Sequence, residues 1–173
     1  IITIKMIDNT YRDVSFAFSN EIAHACDASG VSSIEVINAG KLGYDRTNLF
    51  LPGPVGGPCL SKDTHILSQS VAEFGGQVEI SMSARKLNEE LPNKIASYIK
   101  MLLDKSNKRR EFLKISLLGI AFKGRPETDD LRGTMAIPFF EELSEYFPDA
   151  HFYGFDPVVS KNDVENLGLN FCN

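Results

Sequence analysis

Residues Leu113 to Phe122 read LKISLLGIAF, a short, nearly continuous apolar run that ends a long stretch of helical periodicity. A run of this kind is what a β-strand buried on both faces requires, and it divides the chain. After it come the polar loop KGRPETDDLRG (123–133), a helical pattern with Met135, Phe139, Leu143 and Phe147 on one side, and AHFYGFDP (150–157), which alternates like a strand. Strand, loop, helix and strand in this order predict one βαβ unit with parallel strands. Two strands do not make a stable sheet alone. Residues 111–173 are therefore expected to form part of an α/β, Rossmann-like domain with a parallel sheet.

Working back from Leu113, the pattern is helical throughout. Ile4, Ile7, Tyr11, Val14, Phe18, Ile22 and Ala25 step by threes and fours, which predicts an amphipathic first helix stopped at Gly30. SSIE opens a second helix, with Ser32 as its cap and Glu35 reaching back, ending near Gly40. Ser61 is read as the cap of a third, carried by Ile66, Leu67, Val71 and Phe74. A longer pattern runs from about 78 to 104, and Pro92 should kink or restart it. Residues 1–110 thus read as an α-helical domain.

Composition narrows the function. The chain has 173 residues, 43% hydrophobic, with a net charge of -5. That balance, without a long basic run, argues against a nucleic-acid or membrane-surface partner, which would need a concentrated basic face. The densest basic cluster, KSNKRR at 105–110, reads as a solvated connector. Cys26, Cys59 and Cys172 are odd in number and lack C-x-x-C spacing, so neither a disulfide framework nor a metal site is expected, and a reducing cytosol fits best. No transmembrane run or signal peptide is present, and the chain starts without an initiator Met inside a helical pattern. It reads as an internal piece of a longer protein.

Three constellations carry chemistry. In LPGPVGGPCLSKD (51–63), prolines stiffen a glycine-rich loop that delivers Cys59 just ahead of a helix, where the helix dipole and Lys62 favour the thiolate. Asp63, about one turn on, is placed either to activate a water near the sulfur or to satisfy the helix N-terminus. Lys5, Asn9 and Arg12 share one face of the first helix, where Lys and Asn can donate to a developing oxyanion and Arg can hold a phosphate or carboxylate. A solvated polar face would show the same spacing. In 123–133, Lys123, Arg125 and Arg132 follow a strand and precede a helix, where open parallel sheets bind ligands. No G-x-G-x-x-G occurs in the chain.

Together these segments resemble the UDP-glucose/GDP-mannose dehydrogenase family, nucleotide-sugar 6-dehydrogenases that oxidise a sugar C6 hydroxyl to a carboxylate with two NAD+. KMIDNTYRDVSFAFSNEIAHACDASG (5–30) is similar to the first helix of its central domain, LPGPVGGPCLSKD to its catalytic-cysteine loop, and LLGIAFKGRPETDDLRGTMA (117–136) to the opening of its C-terminal domain. NTYRDV resembles the branch acting on N-acetylhexosamine nucleotides. The loop departs from that branch's commoner PGPGVGGHC by one glycine and by Pro58, which leaves UDP-glucose, UDP-GlcNAc and UDP-ManNAc as candidate substrates.

The resemblance implies a role for each matching position. Cys59 would form a thiohemiacetal and then a thioester. Lys5 and Asn9 would stabilise oxyanions, and Asp63 would position the hydrolytic water. Lys62 and Arg132 match NAD contacts, Lys123 and Arg12 match substrate contacts, and Gly56 and Gly57 would let substrate or cofactor approach the backbone. The family's NAD-binding Rossmann domain precedes the matched region, so the piece alone is expected to be inactive. The helix from about 78 to 104 corresponds to the family's dimer core, which implies a cytoplasmic homodimer. A rival reading is a non-catalytic helical dimerisation module with an unreactive Cys59. A cysteine hydrolase fits less well, because neither His24 nor His65 is placed as a base.

Overall fold

In the first helix, α1 (Ile2–Ser29), the predicted stop is present: Gly30 takes a φ of +71°, and Val31 N–H returns to Cys26 O. The computed structural model describes residues 2–44, 46–106 and 112–172, except for the side chains of residues 2 and 3. The face that α1 buries is the reverse of the one its apolar stripe predicted. Ile4, Ile7, Tyr11 and Phe18 are exposed, whereas Thr10, Asp13, Ala17, Ser19 and Asn20 are buried. The physical reason is that Asp13 and Asn20 find hydrogen-bond partners on the helices packed against α1, and partnered polar groups can be buried at low cost.

Those helices are α3 (Leu60–Ala72) and α4 (Glu79–Glu89), with the short α2 (Ser33–Lys41) between α1 and α3 in the chain. Ser32 caps α2 as expected, its Oγ accepting Glu35 N–H at 3.3 Å. The cap of α3 differs from the expectation. It is Cys59, and Ser61 falls inside the first turn. The long pattern from 78 to 104 is two helices, α4 and α5 (Leu91–Lys105), broken at Glu90 with Pro92 in the first turn of α5, where its missing N–H costs nothing.

Packing divides the chain into two compact units. One runs to Val55 and includes Cys59–Glu89; the other holds Gly56–Pro58 and the described residues from Glu90 onward. By its contacts α5 therefore belongs with the α/β part, where Ala96 is fully buried among the core residues of the sheet and α6. The boundary expected at 110–111, and most of the basic cluster 105–110, lie outside the described residues.

In the second unit, β1 (Lys114–Leu118), β2 (His151–Phe155) and β3 (Asn170–Phe171) form a parallel sheet in the order β1-β2-β3, with Lys114 opposite His151 and Tyr153 opposite Asn170. Helices α6 (Ala136–Tyr146) and α7 (Lys161–Asn166) connect the strands. Among the described residues β1 pairs on one side only, with β2, and its two faces differ in burial. Ile115 and Leu117 pack on the core, while Lys114, Ser116 and Leu118 face out, Leu118 at 75% exposure. Ile120, Leu143, Phe147, Phe152, Val164 and Leu169 fill the core, each large apolar side chain worth about 1.5–3 kcal/mol of burial. The segment from Ser160 to Phe171, beyond the second predicted strand, supplies α7 and β3; Ser160 Oγ accepts Asp163 N–H at 3.2 Å to start the helix.

Candidate active site

The loop from Gly53 to Cys59 is held at its start by Asn20 on α1. Asn20 Oδ1 accepts Gly53 N–H at 2.8 Å, and Asn20 Nδ2 donates to Gly53 O at 3.0 Å, a two-point clamp on the backbone of one residue. Val55 then anchors the loop through a buried side chain. At the other end Cys59 occupies the N-cap of α3, half-buried, and its carbonyl accepts Lys62 N–H at 3.1 Å and Asp63 N–H at 2.9 Å. Cys59 thus stands at the N-terminal end of α3, and its side chain makes no hydrogen bond to the first turn.

Asp63 is buried in the first turn of α3, and Asn9 Nδ2 donates to its Oδ2 at 2.7 Å. Two residues predicted from separate motifs are thereby joined. Lys5, one turn before Asn9 on α1, is exposed, as are Arg12 and Lys62.

Beneath this pair lies a polar network that the sequence reading did not anticipate. Asp13 accepts from Arg85 Nη1 at 3.1 Å, from Asn88 Nδ2 at 2.8 Å and from Thr64 Oγ1 at 3.1 Å. Arg85 also donates to Leu60 O at 2.9 Å, and Asn88 Oδ1 accepts from Asn20 at 3.2 Å. Burial pushes the Asp13 carboxyl above its ordinary value, against the opposing pull of Arg85 and the hydrogen bonds of Asn88 and Thr64. The available signal was the spacing of Asp13 and Asn20, two turns apart on one face of α1, and of Arg85 and Asn88, one turn apart on α4.

In the second unit, Gly57 N–H donates to Gly133 O at 2.7 Å. Gly57 takes a φ of +97°, and a Cβ on Gly56 would stand 2.6 Å from Gly133 O. The close approach at both glycines is made here by the chain's own loop. That loop is closed by Phe122 N–H to Asp130 O, and the Arg132 guanidinium grips Asp130 with Nε–Oδ1 at 3.0 Å and Nη2–Oδ2 at 2.6 Å. The side-chain and backbone hydrogen bonds of Arg132 hold the Asp130 carboxyl down at about 2. Lys123 is exposed, its Nζ 5.1 Å from the Phe122 ring centre.

Asp156, which sequence reasoning passed over, fixes the start of this loop. Its Oδ2 accepts Ile120 N–H at 2.8 Å and Ala121 N–H at 3.0 Å, and its Oδ1 accepts Val158 and Val159 N–H. The only signal was an acid followed by proline at the end of a strand. Among the described residues no group of three or more His, Cys, Asp and Glu side chains could hold a metal ion, and no helix is long and apolar enough to cross a membrane.

Residues 2–90 match the family model described as UDP-glucose/GDP-mannose dehydrogenase family, central domain. The chain belongs to this family. The matched segment covers the helical unit and stops at the Glu90 break between α4 and α5. Among relatives, Protein CapL of Staphylococcus aureus is 34% identical over 161 residues, covering 93% of this chain and 35% of CapL. A UDP-N-acetyl-D-mannosamine dehydrogenase of Pyrococcus horikoshii is 34% identical over 157 residues, covering 90% and 36%. The solved structure titled as the UDP-D-ManNAc dehydrogenase from Pyrococcus horikoshii superposes with a TM-score of 0.77 at 32% identity, covering 91% of this chain and 36% of that one. The chain spans about a third of the length of these family members.

Proposed function

We propose that the full-length protein containing this chain is an NAD-dependent nucleotide-sugar 6-dehydrogenase that converts a UDP-N-acetylhexosamine to its uronic acid, with Cys59 as nucleophile. The observation that carries this reading is the Asn9–Asp63 hydrogen bond at the first turn of α3, the turn that Cys59 caps. Relatives named UDP-N-acetyl-D-mannosamine dehydrogenase favour a UDP-ManNAc type of substrate over UDP-glucose.

The residues support a covalent route. The Cys59 sulfur bonds to the C6 aldehyde, and the carbonyl oxygen becomes an oxyanion that Lys5 and the Asn9 amide stabilise. Loss of hydride from C6 leaves a thioester. Asp63 takes a proton from a water that adds to the acyl carbon, the C–S bond breaks, and the carboxylate leaves with the thiolate restored. NAD+, when bound, supplies the hydride acceptor for both oxidations, so one alcohol and one water yield one carboxylate, two NADH and three protons. Lys62 in the first unit and, separately, Arg132 in the second, where Asp130 orients it, are exposed cations whose chemistry suits the NAD contacts that the family resemblance implies for each. Lys123 and Arg12 would take substrate charge, whereas Gly56 and Gly57 let the cysteine loop pass close to Gly133 and Phe122 of the chain itself.

A homodimer through the helical unit follows from the same reading. The exposed stripe Ile4, Ile7, Tyr11 and Phe18 on α1 offers it an apolar face. The same stripe favours the rival, a dimerisation module without catalysis. Location in a reducing cytosol agrees with three free cysteines. The deciding experiment follows NADH production by the full-length protein and its Cys59→Ser variant across UDP-ManNAc, UDP-GlcNAc and UDP-glucose. Loss of carboxylate formation in the variant supports the enzyme reading. Undiminished turnover sinks it.

A further inference from the structure

Arg85 is only 2% exposed, yet its guanidinium does more than neutralise Asp13. Its Nη1 donates to Leu60 O at 2.9 Å, and its Nη2 makes a long contact of 3.5 Å with Val55 O. These two carbonyls lie on either side of the segment ending in Cys59. A buried ion pair is weak evidence for stability, since apolar residues of equal volume often do as well. Two backbone contacts bracketing the thiol need a fork of donors, which apolar residues lack.

The orientation of that fork is itself determined. Asp13 holds Nη1, Asn88 and Thr64 hold Asp13, and Asn20 joins Asn88 to the Gly53 clamp. Gly53, Val55 and Leu60, before and after the glycines, are thus all tied to one network. Thr64 adjoins Asp63, so the network also underlies the carboxylate.

We infer that Arg85 is a positioning residue for Cys59: by holding the carbonyls of Val55 and Leu60 it fixes the N-terminal turn of α3, so that the sulfur meets the C6 aldehyde. This rests on the proposed role of Cys59. Covalent capture needs the reacting atoms within about 3–3.5 Å, and a 1 Å misplacement costs on the order of a hundredfold. Lysine at 85 could still neutralise Asp13, but one ammonium lacks the planar fork needed to hold both carbonyls.

The test uses the full-length enzyme with Arg85→Lys, and with the charge-neutral pair Asp13→Asn and Arg85→Met, which leaves no unpaired buried charge. NADH formed per sugar nucleotide consumed is measured, with the products separated by chromatography. In either variant, carboxylate formation should fall about 10–100-fold in kcat, with KM values changed less than about twofold. NADH per sugar should drop from two towards one as the 6-aldehyde escapes uncaptured. A fold defect lowers the number of active molecules and leaves that ratio at two. A ratio of two in folded variants, whatever their rate, overturns the inference. If Arg85→Lys does not fold, the neutral pair decides. Cys59→Ser runs in parallel: a variant that still makes carboxylate at two NADH per sugar defeats the nucleophile reading itself, a result separate from any outcome at Arg85.

Discussion

Asn9 Nδ2 on α1 lies 2.7 Å from Asp63 Oδ2 on α3, and Asp63 N–H in turn bonds the carbonyl of Cys59. The amide of one helix and the first turn of another are thereby set at the same place. Asp63→Asn keeps the size and removes the base. It should lower steady-state turnover by about 10²–10⁴-fold while leaving the oxidations intact, so that rapid mixing shows a burst of NADH followed by a slow phase. A proportional loss of burst and steady state would contradict the role of Asp63 in hydrolysis.

The Asp13–Arg85 pair makes a prediction about stability. Arg85→Met alone strands a buried carboxylate and should cost about 3–5 kcal/mol, whereas adding Asp13→Asn should restore most of that. Thermal unfolding of the two variants checks the sign of this coupling. Equal losses in both would mean that Arg85 matters only for its packing.

Asp156 gives the α/β unit a pH dependence. Burial acts to raise its carboxyl, but the four N–H groups of Ala121, Val158, Ile120 and Val159 outweigh this and hold it below 3.8. A depressed value in the folded state means that the stabilisation is present above the ordinary carboxylate range and is lost as pH falls through the folded value. Asp156→Asn should therefore lower the melting temperature at neutral pH, and the gap from wild type should narrow as pH falls below the ordinary carboxylate range. Melting curves across that range report it.

Gly57→Ala places a side chain at a φ of +97° and 3.0 Å from the Phe122 ring. The strain alone costs about 1–3 kcal/mol. Activity should fall together with stability, and Gly53→Ala, with nothing within 4 Å of its added Cβ, should be much milder.

Some of this site was legible in the sequence and some was not, for a physical reason. The loop to Cys59 announces itself because proline and glycine act on their own backbone. Ser32 and Gly30 are likewise local signals. The stripe on α1 was found correctly as a period, but periodicity does not say which side is covered. Asp13 is buried because Arg85, 72 residues away, neutralises it, and hydropathy along one helix cannot register that. LKISLLGIAF reads as a strand, but which of its side chains are covered depends on α5, α6 and β2, which the run itself does not encode. Asp156 was missed because its partners Ile120 and Ala121 are 36 and 35 residues earlier.

The central claim, that Cys59 bonds covalently to the sugar C6, is tested most directly by mass. Full-length Asp63→Asn enzyme, mixed with NAD+ and a UDP-N-acetylhexosamine and quenched in acid during the slow phase, should carry a uronyl-nucleotide adduct on the peptide containing Cys59. Cys59→Ser should carry none. Steady formation of the carboxylate with an unmodified Cys59 throughout would contradict the account.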